Sequence, residues 1–241
     1  TNPDFIYSVK TKFPFEEISQ NFIFDEANRL IEEKGAEDAK YVYDSLGNIL
    51  EKGSVPYMYE IPNQLTKTNG YEFTYDNNGN LKTRTRFRKK EEFFFNGLDQ
   101  LVRYISAKGT ETTYSYDAFG RRLKKKTSLV NGSTKEVFYL YVGDIEIGTI
   151  DPSGNIQELR IPANPLDPDT KMIGYELGKA FLVPSYDLFG NLTCLTDPNT
   201  QEVAEGYSYS AYGKETIYDC EGYATDQSEW GNPWRYQGKR K

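Results

Sequence analysis

The feature that most constrains this chain is a short unit that recurs along it: an aromatic residue, any residue, a second aromatic, Asp, two variable residues and Gly, then an aliphatic residue. Clear copies are Tyr41-Val42-Tyr43-Asp44-Ser45-Leu46-Gly47-Asn48-Ile49, Phe73-Thr74-Tyr75-Asp76-Asn77-Asn78-Gly79-Asn80-Leu81 and Tyr114-Ser115-Tyr116-Asp117-Ala118-Phe119-Gly120-Arg121-Arg122-Leu123. A fourth runs from Ser185 to Leu192. Degenerate copies span Phe22 to Leu30, Tyr57 to Leu65 and Phe93 to Leu101, with a late one from Tyr207 to Gly213. The turn-opening positions 25, 44, 60, 76, 96 and 117 are 16 to 21 residues apart, so a fixed unit is joined by a variable spacer.

Each letter of the unit has a physical role. Two aromatics separated by one residue project from the same face of a strand. Asp opens a turn by accepting a hydrogen bond from the backbone two residues on. Gly follows three residues later, where a type I turn favours it, and Asn28 and Asn63 take that place in degenerate copies. The aliphatic residue starts a returning strand. The unit is one β-hairpin. A lone hairpin is marginal in water, so a series of them must pair edge to edge. The expected fold class is all-β: tandem antiparallel hairpins forming one long curled sheet with a protected aromatic face.

Composition agrees. The 241 residues include 20 Tyr, 20 Gly and 11 Pro, spread along the chain as many short strands and turns require. The net charge of -7 argues against a nucleic-acid role. With no histidine the chain lacks the usual general base and the commonest zinc ligand. Cys194 and Cys220 cannot build a disulfide framework. Cys194 reads as a small buried apolar position, and sequence does not place the two sulfurs within bridging distance, so the redox compartment stays open. No apolar stretch is long enough to span a membrane and no signal peptide is visible. Starting at Thr1 and stopping at Lys241, the sequence reads as an excerpt of a longer polypeptide.

The ordered units resemble the YD-repeat family, also called rearrangement-hotspot (Rhs) repeats, found in bacterial polymorphic toxins, insecticidal toxin complexes and teneurins. The resemblance covers roughly residues 20 to 241 and implies a β-strip spiralling into a hollow shell, which in bacterial members encloses a C-terminal toxin. Pro184 to Leu192, Leu195-Thr196-Asp197, Tyr207 to Gly213 and Asn232-Pro233-Trp234-Arg235-Tyr236-Gln237-Gly238 also resemble the opening of the family's Rhs-associated core. The expected organisation is a hairpin array over residues 1–161, a Pro-rich connection and hairpin over 162–183, and the start of that core over 184–241. Residues 1–20 carry no clean repeat, Pro162 to Asp169 reads as a loop, and 219–232 reads as a polar surface loop. The family's self-cleaving Asp-Pro-x-Gly segment would lie beyond residue 241. Asp151-Pro152-Ser153-Gly154 has its letters but sits upstream, and reads as a hairpin turn.

Lys82, Arg84, Arg86 and Arg88 alternate along a strand, followed by Lys89, Lys90, Glu91 and Glu92. An anion strip is one reading. A solvated outer face with cross-strand Glu partners is favoured. Arg121, Arg122, Lys124, Lys125 and Lys126 read the same way. Asp76 to Asn80 looks like a calcium loop but has Thr85 where the bidentate Glu belongs, which favours a turn. Phe93-Phe94-Phe95 and Asn232 to Tyr236 could stack on glycans, but packing within the sheet is favoured. The sequence therefore points to no catalytic, cofactor-binding or metal-ligating residue. The expected function is a non-enzymatic shell segment of a secreted or cell-surface bacterial protein. Its partners would be a C-terminal toxin or effector of the same polypeptide and a secretion or injection apparatus, with no nucleic acid and no membrane span. The alternative is a cell-surface carbohydrate- or protein-binding module.

Overall fold

A computed structural model describes residues 6–12, 17–61, 63–167, 169–178 and 180–240. The expectation for residues 1–5 and 13–16, and the turn place of Pro62, lie outside these. The strands in chain order begin with β1 (Ile6–Lys12), β2 (Glu17–Phe24), β3 (Leu30–Lys34), β4 (Ala39–Tyr43), β5 (Ile49–Lys52), β6 (Val55–Ile61), β7 (Gln64–Thr68) and β8 (Tyr71–Tyr75). They continue with β9 (Leu81–Arg86), β10 (Lys89–Phe95), β11 (Leu101–Ile105), β12 (Glu111–Tyr116), β13 (Arg122–Ser128), β14 (Thr134–Val142) and β15 (Ile145–Ile150). The last are β16 (Ile156–Pro162), β17 (Met172–Leu177), β18 (Ala180–Tyr186), β19 (Leu192–Thr196), β20 (Val203–Tyr209), β21 (Glu215–Tyr218) and β22 (Ala224–Thr225). A single 3-10 turn, Tyr236–Gly238, is the one helical element among the described residues. The sheet is antiparallel, and strands adjacent in sequence pair with each other from β1 to β14 and again from β16 to β22. The all-β hairpin reading holds.

The unit sets the register. In seven copies the pairing slips by one residue at the second aromatic: Phe24↔Leu30, Tyr43↔Ile49, Tyr59↔Leu65, Tyr75↔Leu81, Phe95↔Leu101, Tyr116↔Arg122 and Tyr186↔Leu192. A type I turn closed by a left-handed residue forms a bulge of this kind. Gly47, Gly79, Gly120 and Gly190 supply that residue at φ 84, 87, 82 and 79, and Asn28 and Asn63 do so at φ 59 and 65. In the Phe93 copy Asp99 takes the place at φ 57, whereas Gly97 is not among the positive-φ residues. Glu60 does not open its turn, since β6 runs on through Ile61. In the Tyr114 copy Arg122, not Leu123, fills the aliphatic slot opposite Tyr116.

Contacts divide the chain into two compact units, residues 1–40, 141–149 and 156–241 (unit 1) and residues 41–140 and 150–155 (unit 2). Unit 1 has a contiguous core of Ile145, Met172, Tyr175, Leu177, Leu182, Leu192, Leu195, Tyr207, Tyr209, Ile217 and Trp234. Unit 2 alternates instead: Tyr57, Tyr59, Tyr71, Phe73 and Tyr75 are half-buried, while Met58, Glu72 and Thr74 between them are exposed. Its aromatic face is only partly protected.

Another bond fastens successive hairpins of unit 2. Tyr59, Tyr75 and Tyr116 each donate a hydroxyl to the carbonyl of the residue opposite an earlier motif's second aromatic, at Ile49 (3.1 Å), Leu65 (2.8 Å) and Leu101 (2.7 Å). This accounts for Tyr at the second aromatic place in these three copies, where Phe24 and Phe95 hold the same place in copies that can make no such bond. Each Tyr→Phe change is expected to cost about 1 kcal/mol and the triple variant about 2–3, with Tyr116 adding independently and Tyr59 and Tyr75 coupled because they meet at Leu65. Urea unfolding of the single and triple variants checks this. A triple variant as stable as the parent would show that water satisfies those carbonyls equally well.

Candidate functional site

The turns carry the motif's acid. Asp44 Oδ1 accepts from the backbone N–H of Leu46 and Asn48, both at 2.8 Å, and its Oδ2 accepts from the Asn48 amide. Asp76, Asp117, Asp151, Asp187 and Asp219 repeat the two backbone bonds. Asp76 to Asn80 is therefore built as a turn, and so is Asp151-Pro152-Ser153-Gly154. Residues 219–232 are largely exposed, as expected of a surface loop, but they carry more order than that: Asp219 opens one more turn, Tyr218 pairs with Ala224, and Asn232 is buried.

At Asp44, Asp76, Asp117 and Asp151 these bonds favour the ionised carboxylate. The Asn48 side-chain bond and then the backbone bonds lower the Asp44 pKa, and Asp151 is lowered in the same way through Asn155. At Asp76 and Asp117 desolvation pulls upward, yet the bonds from Asn80 and Arg121 leave both lowered. A depressed folded pKa contributes stability that is complete above the unfolded carboxyl value of about 3.9 and is lost as pH falls through the folded value. Thermal stability should therefore be level between pH 7 and 5 and fall below about pH 4. Asp44→Asn should flatten that acid loss, since Asn96 already accepts the same two backbone bonds at 3.0 Å without a charge. An unchanged acid slope in Asp44→Asn would count against this origin.

Of the cation ladder, Lys82 and Arg88 are exposed as expected, but Arg84 and Arg86 are half-buried and do not lie on a solvated outer face. Register places Arg84 opposite Phe73 and Arg86 opposite Tyr71, on the aromatic side. Arg86 lies 4.7 Å from the Tyr71 ring and 5.2 Å from Phe87, and Arg84 lies 5.7 Å from Tyr71. Arg84 does find the expected cross-strand Glu91, at 2.5 Å, and Tyr104 donates to the same carboxylate. Burial, then the Glu91 bond, pushes Tyr104 up to about 12. Arg88 is not on the strand at all: Phe87 and Arg88 form a two-residue turn at φ 47 and 66. Arg122 repeats the pattern, 4.7 Å from Tyr114 and 5.5 Å from Tyr139, and Arg121 belongs to the Asp117 turn. Guanidinium groups stacked on aromatic rings thus cover part of the face that lacks a hydrophobic core.

Unit 1 holds polar groups that the sequence did not single out. Trp234 is fully buried, 5.3 Å from the Tyr175 ring, with Arg160 at 5.1 Å and Arg240 at 4.8 Å from its own. Arg240 bridges Glu146 and Glu158, both at 2.7 Å. Glu205, 1% exposed, accepts from Tyr207, from Ser228 at 2.8 Å and from the Glu229 N–H at 2.9 Å. Asn232 donates to Tyr207 and to the Trp234 carbonyl. Glu205, Asn232, Tyr207 and Arg240 are thus bonded to neighbouring side chains and backbone, and these clusters brace the C-terminal segment. The buried Trp234 ring cannot stack on a glycan, and in the Phe93 run only Phe94 is exposed, with Arg103 over its ring at 4.9 Å. Cys194 is half-buried rather than buried, Cys220 is exposed, and both are free thiols. No helix among the described residues is long and apolar enough to cross a membrane.

Serial hairpins, bulged at seven copies of the motif and joined in unit 2 by three tyrosine hydroxyls, define a structural β-shell repeat protein. A family model described as the teneurin YD-shell matches residues 3–142, more than half of the sequence, and the chain belongs to that family. It is similar to the tRNA3(Ser)-specific nuclease WapA of Bacillus spizizenii, 26% identical over 228 residues that make up 89% of this chain and 9% of the relative. It is also similar to double-stranded DNA deaminase toxin A of Burkholderia cenocepacia, 32% identical over 115 residues, 44% of this chain and 8% of that protein. The chain therefore spans less than a tenth of the length of these curated relatives. Among solved structures, the crystal structure of TcdB2-TccC3-Cdc42 aligns over 92% of this chain and 16% of its own, with 16% identity and a TM-score of 0.43.

Proposed function

We propose that this chain is a wall segment of a larger secreted protein whose shell encloses a toxin or effector domain of the same polypeptide. The observation that carries the proposal is the continuous hairpin series with its bulged register, in a chain of the YD-shell family whose relatives are named as a nuclease and a deaminase toxin. In this reading the segment is not itself catalytic: its acids are engaged in turns and its buried polar groups in bracing. Residues 184–241 would open the core that follows the array. The mechanism is steric, with a sheet whose backbone groups are paired along its length excluding proteases from what lies behind it.

Limited proteolysis of the full-length parent protein tests this. The passenger should survive added protease in the intact protein and be digested once the wall is unfolded or removed. Equal digestion in both states would sink the proposal. A second reading, a surface module for glycan or protein, would draw on apolar residues at the turn tips, where Leu98, Phe119 and Leu188 are about four-fifths or more exposed. Binding of the chain to a glycan array that is lost in Phe119→Ser would favour it.

A further inference from the structure

The chain contains four Asn-Gly pairs: Asn69-Gly70, Asn78-Gly79, Asn96-Gly97 and Asn131-Gly132. Such a pair can convert itself. The Gly backbone nitrogen loses its proton and bonds to the Asn side-chain carbonyl carbon, Cγ. The side-chain nitrogen leaves as ammonia, giving a five-membered imide. Water then opens the ring at either carbonyl to yield aspartate or isoaspartate. The net change is one water consumed and one ammonia released. The step needs a free Gly nitrogen and a side chain that can swing over it.

The fold withholds one or both at three of the pairs. The Gly79 N–H donates to the Asp76 carbonyl at 3.1 Å, and the Asn78 amide is bonded to Asp99. The Gly132 N–H donates to the Leu129 carbonyl at 2.9 Å, and Asn131 Oδ1 accepts from both the backbone and the hydroxyl of Ser133. Asn96 accepts from Leu98 and Gln100 and donates to the Gln100 side chain, which fixes its amide. Asn69-Gly70 is different. It forms the two-residue turn between β7 and β8, with Thr68 paired to Tyr71 and central φ values of 46 and 74. Both residues are exposed. Among the described residues neither the Gly70 N–H nor the Asn69 side chain has a hydrogen-bond partner.

We infer that Asn69 is the site at which this protein modifies itself, by conversion to aspartate and isoaspartate, while the other three Asn-Gly pairs are held back by the fold. The product carries a new negative charge at the rim of a groove lined by Lys67, Tyr71, Phe87 and Arg88. The isoaspartyl form also adds a backbone carbon to a turn that is closed by two residues, so it strains the β7–β8 pairing.

The test is peptide mapping of the full chain after incubation at mildly alkaline pH in oxygen-18 water, which marks each converted site. Folded, Asn69 should convert about three- to tenfold faster than any other Asn-Gly, the factor that one hydrogen bond to be broken would impose. In urea the four rates should draw together. Asn69→Gly, which suits the same turn, should abolish the fast site and leave the others unchanged. A faster rate at residue 78, 96 or 131 in the folded protein would overturn the inference, and so would an equal lead for Asn69 in urea.

Discussion

Replacing Trp234 with alanine is expected to destabilise unit 1 by about 3–5 kcal/mol, the usual cost of emptying a fully buried aromatic site. The ring is 0% exposed, packs on Tyr175, and has two guanidinium groups against it. Its loss opens a cavity and also removes the surface on which Arg160 and Arg240 rest. Arg160 then keeps its bonds to the Glu146 carbonyl at 2.6 Å and the Gly238 carbonyl at 2.8 Å, so the segment should loosen rather than detach. Chemical unfolding followed by tryptophan-independent circular dichroism should show an early transition for unit 1. Trp234→Phe, which retains most of the volume, should recover more than half of the loss. A cost below about 1 kcal/mol for alanine would mean that the site collapses without penalty.

The second large effect is expected at Gly148. A Cβ built there would stand 2.2 Å from the Glu158 carbonyl oxygen and 3.0 Å from Leu159 Cα, both backbone atoms that cannot swing aside. Gly148→Ala should cost about 3 kcal/mol or more. Gly47→Ala is the control. Its Cβ would meet nothing within 4 Å, and only the left-handed backbone at φ 84 penalises it, by about 1–2 kcal/mol. Gly47→Asn should cost less still, because Asn28 and Asn63 occupy the equivalent place. If Gly148→Ala and Gly47→Ala melted together, the close approach of Glu158 would not be limiting.

Much of the hairpin sheet was legible in the sequence because each hairpin is specified locally. Asp44, Gly47 and Ile49 state the turn, the bulge and the returning strand within six residues. What escaped had two physical causes. Alternation within a strand shows which residues share a face, but which face they share with the next strand depends on the bulge. Arg84, Arg86 and Arg122 were therefore read as outward when they lie among the tyrosines. The Phe87-Arg88 turn has no Gly or Asn to announce it, and in the Phe93 copy Asp99, neither Gly nor Asn, holds the left-handed place. The polar groups of unit 1 were hidden for another reason. Glu205 and Asn232 look like surface residues until the chain brings Ser228, Glu229 and Tyr207 to them, and nothing in their neighbours' spacing signals that meeting.

The tyrosine hydroxyl bonds of unit 2 reach from one hairpin only to the hairpin before it. Energetic coupling along that stretch is then between nearest neighbours, and its stability approximates a sum of hairpin terms and junction terms, as in a one-dimensional chain of interacting spins. A whole hairpin could be duplicated or deleted there with a change at two junctions and none elsewhere. The length of the sheet becomes a quantity that evolution can adjust in discrete steps of one hairpin.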